Sequence, residues 1–243
     1  MLALSFFVIA FFYATVGFGG GSSYLAVLAV SDIPYELIPA LGLICNLLVV
    51  SGGCWNYYRK GYFNKQLILP FVSGSVPMAF IGGMFSITEK TFLSILCASL
   101  IIAGIRLLLT SPSATEEVHR PSTFVSFSVG AVLGLLSGMI GIGGGIFLSP
   151  LMLNLRWGKP KDVAAAACVF ICLNSVAGLV GQMSKFFSLS IFDYWPLFLA
   201  VFVGGHLGSR LGTHAKISEK WIQRGTAALI LFISVRLLLK ITG

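Results

Sequence analysis

Three consecutive glycines inside an apolar stretch occur twice in this chain, at Gly19-Gly20-Gly21 and at Gly143-Gly144-Gly145, each led by one more glycine, Gly17 and Gly141. A run of glycines favours neither helix nor strand and leaves its peptide groups uncovered. Each cluster therefore predicts a break in an otherwise helical apolar segment. A second echo accompanies the first. Ile87-Thr88-Glu89-Lys90 with Arg106-Leu107-Leu108-Leu109 recurs as Ile217-Ser218-Glu219-Lys220 with Arg236-Leu237-Leu238-Leu239. The matching order and spacing point to an internal duplication: a first membrane repeat over 1–110, a connecting loop over 111–121 and a second repeat over 122–243. Paired breaks in corresponding positions of two halves are, in a bilayer, the mark of a transporter's substrate site.

That the surroundings are a bilayer follows from charge. Of 243 residues, 57% are hydrophobic and only 10% charged, too few to clothe a soluble domain of this size. Eight apolar runs approach the length needed to cross hydrocarbon: 2–30, 35–58, 67–86, 91–109, 122–155, 163–183, 191–212 and 221–241. The expected fold is an all-α polytopic helix bundle of two four-segment halves. The first run carries no charge and contains the repeated glycines, so it reads as a retained segment rather than a signal peptide.

The net charge of +8 would suggest nucleic acid in a soluble protein. Here the basic residues cluster at segment ends and no basic soluble domain accompanies them, so nucleic-acid binding is excluded. Their distribution bears on topology. If all eight runs cross once, the loop of Arg59, Lys60 and Lys65 lies opposite that of Arg156, Lys159 and Lys161. If the two glycine-broken runs instead dip in and return, those loops, His119-Arg120 and the stretch 210–220 share one side, and Asp32 and Glu36 take the other. Retention of Lys and Arg on the cytoplasmic side favours the second scheme. Each half then crosses an odd number of times, which makes the halves inverted repeats.

A helix starting just after such a break presents unpaired N–H groups and the positive end of its dipole. The candidate substrate site is accordingly Gly19, Gly20, Gly21, Ser22 and Ser23 facing Gly143, Gly144 and Gly145, with Ser22 or Ser23 as the expected N-cap. Two such termini would hold a small oxyanion without a buried cation. The alternative is close helix packing, though packing asks for spaced glycines on one face rather than a consecutive run. Asn46 and Asn174 lie in corresponding apolar helices, with Asn56 and Gln182 further along. Buried amides in lipid either line a hydrated cavity or join helices, and both readings stand. His206, in Gly204-Gly205-His206, is either a proton relay or a hydrogen-bonded structural imidazole. Arg106 and Arg236 sit where they would snorkel to headgroups.

Catalysis finds no footing. Ser51, Ser73 and Ser137 each precede glycine, but Val49, Phe71 and Leu135 occupy the glycine position that an intramembrane serine protease needs. No phosphate-binding Gly-Lys-Ser/Thr loop is present. Cys45, Cys54, Cys97, Cys168 and Cys172 all lie in apolar segments without metal-type spacing and read as small fillers. Neither a metal nor another cofactor is expected.

Gly141-Ile142-Gly143-Gly144-Gly145-Ile146, followed by Pro150, Pro160 and Ala164-Ala165-Ala166-Ala167, resembles the TauE/SafE sulfite exporter family. The first half agrees in its glycine cluster, Pro39-Ala40-Leu41-Gly42, and Tyr58-Arg59-Lys60-Gly61. The resemblance covers essentially the whole chain. One segment departs: Ala167-Cys168-Val169 stands where many members carry Ala-Thr-Ser, with two fewer hydroxyl donors. The resemblance implies a multi-pass carrier of a bacterial plasma membrane that exports sulfite, sulfonates or related organosulfur anions. Protons are the candidate coupling ion, and assembly into a homo-oligomer is left open. An anion channel on the same scaffold, or a carrier for another small organic anion, is the alternative reading.

Overall fold

The computed structural model describes residues 2–15, 18–31, 33–109, 118–184 and 189–214, with scattered helical residues between 228 and 239. Gly17, Asp32, most of the connecting loop, the second echo at 217–220 with Arg236, and most of the eighth run lie outside the described residues.

Among the described residues the structure is helical throughout. It comprises α1 (Leu2–Thr15), α2 (Gly21–Ala29), α3 (Ile38–Arg59), α4 (Lys65–Met84), α5 (Glu89–Leu109), α6 (Thr123–Ile140), α7 (Gly145–Asn154), α8 (Pro160–Met183) and α9 (Trp195–His214), the last preceded by a 3-10 turn, Leu189–Tyr194. The helices start where local chemistry says they should. Asn64 accepts from the Leu67 N–H at 3.3 Å ahead of α4, and the Ser122 hydroxyl accepts from the Val125 N–H at 3.3 Å ahead of α6. Five stretches, among them α3, α4 and α8, are long and apolar enough to cross a membrane. The protein is a polytopic membrane helix bundle.

Both glycine-broken runs fold back on themselves. The backbone N–H of His119, just ahead of α6, donates to the Arg156 carbonyl, just past α7, at 2.8 Å. The pair therefore enters and leaves at one face. In the first run, Phe6 of α1 stacks on Tyr24 of α2 with ring centroids 4.8 Å apart. A continuous helix would hold those residues about 27 Å apart. The return arms α2 and α7, of 9 and 10 residues, reach only about 14–15 Å, half of a hydrocarbon core. The outgoing arm α6, of 18 residues, is by length and composition long enough to cross, and Gly141 at its end meets Pro39 at the start of α3.

The hairpins open to opposite faces. Around the base of α6 and α7, Arg120 donates to the Gln66 amide at the start of α4, and Lys161 to the Tyr62 hydroxyl at 3.3 Å. Arg59, Lys60 and Lys65 flank the same loop. The 22-residue α3 ends there at Arg59, so its start, fed by α2, stands about 33 Å away on the other face with Glu36. For these described residues the charge is divided as the dipping scheme expects, while Asp32 and 215–220 lie outside the described residues.

Packing crosses between the halves. α1 lies along α9, and α4 leaves its sequence neighbour α3 to lie along α6 and α8. The reason is backbone proximity. A Cβ on Gly130, Gly134 or Gly138 of α6 would strike the carbonyls of Phe71, Ser75 and Ala79 on α4, and one on Gly204 or Gly208 of α9 those of Phe7 and Phe11 on α1. Small residues at four-residue spacing let helices approach this closely without a hydrophobic driving force. One core gathers α1, α2, α3, α5 and α9 around Phe6, Tyr24, Leu41, Leu96 and Val201. A second gathers α4, α7 and α8 around Phe71, Met152 and Phe170.

Candidate functional site

Gly20, with φ 83°, is the N-cap of α2, and Gly144, with φ 76°, is the N-cap of α7. Both occupy the left-handed region, which costs a side-chain-bearing residue about 1–3 kcal/mol. The expectation that Ser22 or Ser23 caps α2 is therefore corrected. The chain turns two to three residues earlier, at Gly20, because only glycine takes that conformation freely, which places the serines inside the first turn. Neither helix has a side-chain cap, so the N–H groups of Gly21, Ser22, Gly145 and Ile146 have no intrahelical acceptor.

The two breaks meet backbone to backbone. A Cβ on Gly21 would stand 2.5 Å from the Ile142 carbonyl oxygen, and one on Gly141 would overlap the Pro39 carbonyl at the start of α3. Asn46 of α3 joins them. Its amide lies 2.6 Å from a Cβ built on Gly19, 2.5 Å from one on Gly21 and 2.5 Å from one on Gly143. Asn46 is fully buried, and neither amide atom has a hydrogen-bond partner. Leaving such a group unpaired costs about 1–3 kcal/mol.

A cavity of about 10 Å³ lies at the junction, lined by Gly19, Gly20, Gly21, Ser22, Asn46 and Gly145 together with Tyr13, Ile142 and Ile171. That is room for about one water molecule, so the site is closed in this conformation. The Ser22 hydroxyl, 1% exposed, and the Tyr24 hydroxyl are both buried without a partner. Ser23 is not available in the same way, since its hydroxyl and that of Tyr13 are bonded at 2.6 Å and tie α2 back to α1.

Two expected members stand apart. Asn174 is fully buried on α8 with both amide atoms unpaired, but it does not line the cavity. Opposite Asn46 the structure places Ile171, one turn earlier, 3.2 Å from a Cβ on Gly19 and 3.1 Å from one on Gly143. His206 is on the seam of α9 and α3, its ring 3.5 Å from a Cβ on Gly52. Its Nδ1 lies 3.1 Å from the Phe202 carbonyl, and its ring lies tilted against that of Phe202 with centroids 4.2 Å apart. Nearby, Asn56 donates to the Ser209 hydroxyl at 3.2 Å; at the far end of α8, Gln182 donates to the Gly138 carbonyl at 2.9 Å. Those two amides join helices. Tyr13 was not among the sequence candidates, although a hydroxyl in an apolar run one turn ahead of the break is a usable signal.

On the face of Glu36 a crevice of about 200 Å³ descends between Tyr35, Glu36, Phe85 and Phe92 to Pro39 and Met139. Pro39 of that crevice is also the residue whose carbonyl meets Gly141.

Comparison with known proteins fits this geometry. The sulfite exporter TauE/SafE family matches residues 2–237. The chain belongs to that family. A probable membrane transporter protein of Sinorhizobium fredii, y4hK, is 31% identical over 241 residues, covering 98% of this chain and 97% of that one. The probable membrane transporter protein YunE of Bacillus subtilis is 26% identical, covering 90% of this chain and 87% of its own length. No solved structure matches. Family membership, bacterial relatives and the helical bundle make this a multi-pass transporter of a bacterial plasma membrane.

Proposed function

We propose that this TauE/SafE family member is a secondary carrier that exports small sulfur-containing oxyanions, sulfite and sulfonates among them. The observation that carries the reading is the meeting of two helix N-termini at one buried amide without partners. An oxyanion seated there accepts from the free N–H groups at the starts of α2 and α7, from the Ser22 hydroxyl and from the Asn46 amide. Several donors and no buried cation suit a small anion that must also leave. The hairpins open to opposite faces, so movement of each break exposes the site to a different side. In this reading residues 1–110 and 122–243 are inverted halves, and alternating access is their rocking about the junction. The proton that accompanies the anion travels on the substrate or at His206. A pore would need a continuous wet path, and the closed junction favours a carrier.

The test is thermal stabilisation of the purified protein by sulfite, sulfate, thiosulfate, sulfoacetate and acetate, followed by flux in proteoliposomes. A ligand that binds only the folded state raises its melting temperature. Stabilisation by the sulfur oxyanions well above acetate, with saturable and trans-stimulated exchange, is expected. Equal stabilisation by acetate, or a linear conductance, overturns the assignment.

A further inference from the structure

Three of the five cysteines converge on the seam between α3 and α8. Cys54 of α3 interacts with the thiols of both Cys168 and Cys172. The α8 pair is four residues apart and so shares a helix face. Gly53 leaves room for the contact, since a Cβ there would stand 3.0 Å from the Cys168 sulfur. Tyr57, Ala165 and Cys168 form a small buried core here, with Cys54 packed against it. No cysteine carries a disulfide. Cys54 and Cys172 are partly exposed while Cys168 is buried. Cys45 is elsewhere on α3, and Cys97 of α5 donates to the Ser234 carbonyl at 3.5 Å.

We propose that Cys54 and the two α8 thiols are a reversible oxidation site, at which a disulfide from Cys54 to Cys168 or Cys172 staples α3 to α8. The seam runs directly into the glycine junction. Cys172 adjoins Ile171 in sequence, and Cys54 is two turns, about 12 Å, along α3 from Asn46. These are the side chains that touch both breaks, so a covalent tie between their helices holds the junction closed.

The chemistry needs one oxidant, a peroxide. Its O–O bond takes two electrons from the Cys54 sulfur, giving the sulfenic acid and one water. The sulfur of Cys168 or Cys172 then attacks, its proton leaves with the hydroxyl as a second water, and the S–S bond forms. Exchange with a small dithiol returns both thiols and releases that dithiol's disulfide. The cluster lies toward the basic face, which the positive-inside rule makes cytoplasmic. Thiols are kept reduced there, so the untied form is the resting one.

The experiment treats the purified protein with hydrogen peroxide and reads intact mass and thiol content under denaturing, non-reducing conditions. The expected result is loss of two hydrogens and of two thiols from the five. Cys54→Ser abolishes this change. Cys168→Ser and Cys172→Ser each retain it, and their combination does not. The oxidised protein melts at a higher temperature and loses anion exchange, and dithiothreitol reverses both. No disulfide, one that survives Cys54→Ser, or one that leaves melting unchanged overturns the proposal. The exchange arm alone rests on the carrier reading. Should the reduced protein exchange none of the anions, that reading fails, while mass and melting still decide the staple.

Discussion

At the first break, Gly20 turns the chain at φ 83° and α2 starts beneath Ser22, Asn46 and the Tyr13–Ser23 bond; at the second, Gly144 turns it at 76° and α7 starts beneath Ile146, Ile171 and Phe170. At the N-caps the backbones are alike; one residue earlier they part, since Gly143 is also left-handed at φ 81° and Gly19 is not, and the side chains differ throughout. A Cβ on Gly20 meets the Tyr24 ring at 2.9 Å, and one on Gly144 meets the Phe170 ring at 2.8 Å. A Cβ on Gly21 meets a backbone carbonyl and an amide that already lacks partners, whereas one on Gly145 meets the tip of Ile171. The comparison teaches that the dipoles come from both halves, while nearly all side-chain hydrogen bonding at the junction comes from the first. Backbone donors can be duplicated because they depend only on the turn; one set of polar side chains is enough to choose the guest.

The comparison breaks outright if the runs cross the membrane. Cysteines placed at Ser122 and Arg156 in a background lacking the native ones should react with an impermeant maleimide from one side, and a cysteine at Glu36 from the other. A reporter fused after Gly243 should likewise lie outside the cell; a cytoplasmic location removes the hairpins and the argument built on them.

The next largest effect separates the two triplets. Gly21→Ala forces the breaks apart and should abolish exchange with insertion intact, because a carbonyl cannot yield. Gly145→Ala asks that the Ile171 side chain turn aside, its Cδ1 and Cγ1 standing 2.3 and 2.4 Å from the new Cβ, and should keep measurable exchange. Equal losses, measured side by side in proteoliposomes, would mean that the triplets do not differ.

Asn46→Leu should raise the melting temperature, since it removes an unpaired amide worth about 1–3 kcal/mol, and should erase stabilisation by sulfite. Retained stabilisation moves the anion away from the junction. Ile171→Leu, on the mirror side, should leave it in place.

The smallest effect belongs to Ser22→Ala. Losing one neutral donor worth about 0.5–1.5 kcal/mol weakens sulfite binding by roughly two- to tenfold. Ile146→Val at the corresponding position of α7 should change it hardly at all, as titration calorimetry can resolve.

Much of this was readable beforehand. The glycine triplets predicted both breaks, and the sidedness of Arg59, Lys60, Arg156 and Lys161 against Glu36 predicted hairpins over crossings. Asn46 stood out by its polarity in an apolar run, as an amide that either lines a cavity or joins helices. Its partner did not. Pairing Asn46 with Asn174 relied on their places in corresponding apolar helices, yet the register of α3 against α8 brings Ile171 to the junction. The cap was expected two to three residues too late, at Ser22 or Ser23 instead of Gly20, for the same kind of reason: a triple glycine leaves three candidate turning points. The Cys54 contact was likewise hidden, because Cys168 and Cys172 share a face while nothing in the sequence says which helix covers it.

Composition, periodicity and glycine placement by themselves determined that the chain is helical, membrane-embedded and twice interrupted, because each follows from local propensity and from the cost of bare peptide groups in lipid. Only the tertiary structure decided which side chains meet at the interruptions. That choice rests on helix neighbours and register, and in this protein both are set by glycines pressed against carbonyls of distant segments, a contact with no local signature.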